Sequence, residues 1–140
     1  MRSVIRCLVL IAALVQSACK SDEELNSSKL ACQFANEAAP LVQPLIDALN
    51  ANNAAASLTA ATNLYDKLND ASSEAFAGGD GALIADMDNA KTTTKAIQDA
   101  LKLSPPQLLT AKAGIPNLTN QMQQIGRDCS AILTASIVAP

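Results

Sequence analysis

From Ser28 onward the apolar residues recur at steps of three and four, the spacing that puts side chains on one face of an α-helix. The first helical segment is expected over Ser28 to Asn50. Leu30, Phe34, Ala38, Leu41, Leu45 and Ala48 form one stripe, and Cys32, Ala35, Ala39, Val42, Ile46 and Leu49 form a second beside it. Pro40 and Pro44 lie on the polar face, and each removes a backbone donor, so a kink or break is expected near Ala39. The second segment, Ala54 to Phe76, carries Leu58, Ala61, Tyr65 and Leu68, flanked by Leu64, Ala71 and Ala75. The third, Asp80 to Leu103, carries Leu83, Met87, Ala90, Thr94, Ile97 and Leu101, with Asp86, Asp88, Lys91, Lys95, Asp99 and Lys102 on the exposed side.

The fourth span reads as two pieces. A short helix over Pro105 to Ala113, capped by Ser104, is broken by Gly114-Ile115-Pro116. The stripe Ile115, Leu118, Met122, Ile125, Cys129 and Ile132 then continues. Asn50–Asn53 and Gly78–Gly81 supply the turns, and Asn53 and Asp80 the N-caps. No stretch shows the sustained alternation of a strand. The expected fold is therefore all-α: a small up-down-up-down four-helix bundle over residues 29–136, with kinked first and last helices. In that topology the start of the first helix lies beside the end of the last. Cys32 and Cys129 sit at those two places on apolar stripes, so they are expected to form a disulfide. The alternative is two buried free thiols.

The first 18 residues follow a different pattern. Arg2 and Arg6 form a basic region, Cys7 to Val15 an uncharged apolar run, and Ser17 and Ala18 a small-residue end, the layout of an export signal. The apolar run is shorter than the ~20 residues of a membrane-spanning helix. The seam Val15-Gln16-Ser17-Ala18-Cys19 resembles a bacterial lipobox, departing from it at Gln16. The resemblance implies a cut before Cys19, acylation of its thiol and attachment to a membrane through that lipid. Residues 19–28 would then form a flexible polar tether. An ordinary signal-peptidase cut after Ser17 or Ala18 is the other reading. Loss of Cys7 with the signal would leave Cys19, Cys32 and Cys129, an odd number in an exported chain. Lipid on Cys19 satisfies that count, and a Cys19-linked dimer satisfies it equally.

Composition narrows the chemistry. The 140-residue chain is 49% hydrophobic, yet only 2% aromatic, with no Trp. A core of Ala and Leu buries little area per residue and favours closely spaced helices. The sequence has no His, so Ser-His and Cys-His relays and the Glu-x-x-His sites of di-iron bundles are excluded. The cysteines lack zinc-finger spacing, and Asp86 to Asn89 lacks the ligand alternation and closing Glu of a calcium loop. No metal or other cofactor is expected. The Asp66/Asp70 and Asp86/Asp88 pairs read as surface charge. Without Arg2 and Arg6, the ten Lys and Arg become eight against 13 Asp and Glu, a net charge of −5 and a poor match to nucleic acid. Asn26 and Asn117 match the glycosylation sequon, Asn26 being the better acceptor if the tether is flexible.

These features lead to an exported, non-catalytic bundle, anchored at Cys19, that acts on an unknown partner in the periplasm or at the cell surface. A soluble secreted carrier of an apolar, lipid-like ligand is the alternative. A secreted enzyme inhibitor is a third class, for which the sequence offers no pocket-filling loop. Ligand-binding residues are not identified by the sequence.

Overall fold

The structure, a computed structural model, describes residues 20–135. The signal segment and Cys19 lie outside the described residues. The chain forms α1 (Asp22–Ala38), a 3-10 turn (Ala39–Leu41), α2 (Val42–Asn50), α3 (Ala54–Ala77), α4 (Gly81–Lys102), α5 (Leu108–Ala113) and α6 (Ile115–Ala135). These make four spans, because α1 with α2 forms the first and α5 with α6 the last. Among the described residues there is no strand, and no helix is long and apolar enough to cross a membrane. Neighbours close into a ring: α3 packs on α1, α2 and α4, while α6 packs on α4 and, less extensively, on α1. This is the expected up-down-up-down arrangement.

The expected tether is corrected by the start of α1. Asp22 to Ser28 are helical. Ser21 and Glu24 form a reciprocal capping box: the Glu24 amide donates to Ser21 Oγ at 3.2 Å, and the Ser21 amide donates to Glu24 Oε2 at 2.7 Å. The capping bonds hold the Glu24 carboxyl below its ordinary pKa. Asp22, Glu23 and Glu24 also place negative charge at the positive end of the helix dipole. Ser28 is fully buried against the α3–α4 turn, where its hydroxyl donates to the Gly78 carbonyl.

The first span breaks where the prolines require it. Pro40 falls in the 3-10 turn, and Pro44 falls in the first turn of α2, where the missing amide has no helical partner to lose. The turn also shifts the buried stripe. Ala31, Cys32, Ala35 and Ala38 are buried before it, and Leu45 and Leu49 after it. Leu30 stays exposed, and Phe34 is half-covered, with the Lys67 ammonium 5.4 Å from its ring centre.

Asn53 and Asp80 cap α3 and α4 through the amides of Ala56 and Leu83. All six expected α4 core residues, from Leu83 to Leu101, are buried. Buried polar groups on the α3–α4 seam are tied across it. The Gln98 amide donates to Thr62 Oγ1 at 3.1 Å, and Ser72 Oγ donates to Asp88 Oδ1 at 2.7 Å.

The start of the last span differs from expectation. Ser104 does not cap a helix at Pro105; α5 begins at Leu108. Ser104 and Pro105 each precede a proline, which disfavours helical backbone at both. The Gln107 amide instead donates to the Ala100 carbonyl at 2.9 Å, closing the end of α4.

Candidate functional site

The two cysteines that the topology was expected to unite are bonded. Cys32 on α1 and Cys129 on α6 have Cα atoms 5.3 Å apart, and both are buried. The bond closes the ring of spans along α1 and α6. Cys19, the expected lipid-attachment residue, lies outside the described residues.

Asn26 is exposed on α1, not in a tether, because the capping box starts the helix five residues before it. Asn117 is exposed in the first turn of α6, where its amide donates to Thr93 Oγ1 at 3.3 Å. Asp66 and Asp70 are exposed, as expected of surface charge. Asp88 is exposed but engaged. Its bond from Ser72 comes first, and the nearby Lys91 ammonium second, in holding its carboxyl below the ordinary range.

Asp86 is the exception, and it corrects the expected exposed face of α4. It is half-buried against α6 beside Asp128. Burial raises its pKa first, and the hydrogen bond and negative charge of the Asp128 carboxyl raise it further. Asp128 accepts from the Gln124 amide at 3.0 Å through Oδ1. Its Oδ2 and Gln121 Oε1 are buried with no hydrogen-bond donor. The pairing was not readable from either residue alone. Asp86 and Asp128 each sit one position before a core residue, Met87 and Cys129. Only the α4–α6 register, in which Asn117 meets Thr93 and Gly114 lies close to Ile97, brings them together.

One concave feature of the described surface is a groove of about 420 Å³ between the first span and α3. Leu41, Pro44 and Ala48 form one wall, and Ala56, Thr59, Ala60 and Asn63 the other. Its origin is local. Pro44 cannot extend a polar side chain into the gap, and the facing alanines leave the two backbones with little to fill it. Thr59 spends its hydroxyl on the Ala55 carbonyl at 3.1 Å. The groove can therefore take an aliphatic group, and its lining offers no charge to orient one. Among the described residues no three His, Cys, Asp or Glu side chains group so as to hold a metal ion.

No protein-family model, no curated protein and no solved structure matches this chain.

Proposed function

We propose that this chain is an exported helical bundle, anchored to a membrane by lipid on Cys19, that serves as a non-catalytic interaction module of the cell envelope. The carrying observation is the Cys32–Cys129 bond. It accounts for two of the three cysteines that remain once Cys7 leaves with the signal, and Cys19 is the third. Disulfides persist in oxidising compartments, so the bond also supports export. The Arg2/Arg6 region, the apolar run and the lipobox-like seam supply the route. The outer surface of the bundle would meet the partner in the periplasm or at the cell surface.

Intact mass spectrometry of the protein from its native host tests the anchor. The expected mass is that of a chain starting at Cys19 with added acyl groups and one internal disulfide. An unacylated chain recovered from the medium would refute it. Crosslinking in native envelopes tests the module; repeated recovery of the bundle alone would count against it.

The groove between the first span and α3 favours the second reading, a soluble carrier of an apolar ligand, because its lining is mostly aliphatic. That reading expects a lipid to co-purify with the folded chain and to be displaced by an Ala60→Trp substitution. Apo protein with unchanged lipid affinity in the variant would remove it.

A further inference from the structure

We propose that the end of the bundle formed by the α3–α4 turn rests directly on the bilayer that holds the Cys19 lipid, with Phe76 inserted at the headgroup level. This inference rests on the anchored reading above and adds the orientation of the bundle and the surface that meets the membrane.

The first observation is the length of chain between anchor and bundle. Ser21 already caps α1, so a single residue, Lys20, separates Cys19 from the capping box. Consecutive Cα atoms are about 3.8 Å apart, so this linkage spans only a few ångströms of slack. The second observation removes part of that slack. Lys20 Nζ donates to Ser28 Oγ at 3.0 Å and reaches Asp80 Oδ2 at 3.4 Å. The residue next to the anchor is thus tied to the α3–α4 turn itself. Acyl chains on Cys19 must enter the hydrocarbon, which brings this end of the bundle to the headgroups.

The third observation is the character of that turn. Phe76 is 76% exposed, and Ala77, Gly79, Gly81 and Ala82 around it are exposed and uncharged. Asp80 is the charge within the turn, and Lys20 pairs with it. An aromatic ring projecting from a small, uncharged tip suits the membrane interface, where apolar side chains find acyl chains within reach. The turn also holds its shape. Gly79 has φ of +64°, and a Cβ on Gly78 would lie 2.8 Å from the Ser28 amide nitrogen. The exposed carboxylates of Asp22, Glu23 and Glu24 flank this end, so a zwitterionic bilayer fits and an anionic one is repelled. Leu103 and Leu109, exposed at the opposite end, then point away from the membrane.

The absence of Trp makes the test direct. The full-length precursor is expressed in a lipidating host as two single-reporter variants, Phe76→Trp and Leu109→Trp. Both positions are exposed, so both variants are expected to fold with the wild-type melting temperature. Each is reconstituted in phosphatidylcholine vesicles with and without brominated acyl chains, after its mass is checked for lipid. The expected result is a blue-shifted reporter at position 76 that loses most of its fluorescence to the brominated lipid, with a water-like, unquenched reporter at position 109. Acylated protein with neither reporter quenched would overturn the docked end and leave the anchor standing. Quenching of both would overturn it in favour of a bundle lying flat. A mass without acyl groups would refute the anchor, and this inference with it.

Discussion

Removing the Cys32–Cys129 bond is the perturbation whose size follows most directly from the fold. The cysteines are 97 residues apart, so the bond constrains most of the unfolded chain. The chain-entropy relation puts the stabilisation from closing a loop of that length at about 4.7 kcal/mol at 25 °C, with measured bridges commonly at roughly 2–4 kcal/mol. A domain of this size has about 5–15 kcal/mol in total. The bond should therefore supply a large share of the stability. The packing places the loss as well as sizing it. The helix α6 meets α4 broadly and α1 more sparingly, and the bond sits on that sparser seam. Reduction should loosen α6 before α3 and α4, whose shared contacts are the most extensive. Urea titration followed by circular dichroism, with and without reductant, measures the first effect. The expected result is a midpoint lowered by about 1–4 M, since m for a small protein in urea is about 1–3 kcal/mol/M. Native-state hydrogen exchange measures the second, as early loss of protection in α6. Midpoints that agree within error would refute the closure argument, and uniform loss of protection would refute the placement.

Two further predictions concern single residues. Asp86→Asn should stabilise the fold at neutral pH by about 1 kcal/mol, because the amide can donate to the unpaired Asp128 Oδ2 without a second negative charge. The folded Asp86 pKa is raised above its ordinary 3.8, so its stabilising contribution is complete below that value and is lost as pH rises through the folded pKa. The advantage of the variant over wild type should therefore grow with rising pH in paired thermal melts; an advantage that is flat or shrinks with pH would contradict it. Gly78→Ala should destabilise by roughly 1–2 kcal/mol, since overpacking costs about 1–3 kcal/mol and the unfolded-chain gain of about 0.4–1 kcal/mol only partly offsets it. Its Cβ would meet backbone atoms of α1, Ser28 N at 2.8 Å and Glu24 O at 3.1 Å, which cannot swing aside. A urea midpoint equal to wild type would show that α1 and the turn can separate cheaply.

The sequence by itself determined the number and order of the helical spans, because helix faces are local. The stripe from Leu83 to Leu101 repeats at steps of three and four, and every member is buried. Asn53 and Asp80 cap as their side chains require, and the Pro40 and Pro44 break falls where the missing amides force it. The Cys32–Cys129 bond was legible because topology alone puts the two ends side by side. The start of α1 was also written in the sequence, as Ser21 followed three residues later by Glu24, but a charged run after an apolar one reads equally as a tether. What docks that helix is tertiary: Ser28 finds its place under Gly78 only when α1 lies against the α3–α4 turn. The same holds for the groove, which exists because small residues on two separate spans face each other. It holds most clearly for Asp86 and Asp128, 42 positions apart by their numbering. Each looks like surface charge on its own helix. Their shared burial belongs to the register between two antiparallel helices, which no local pattern encodes.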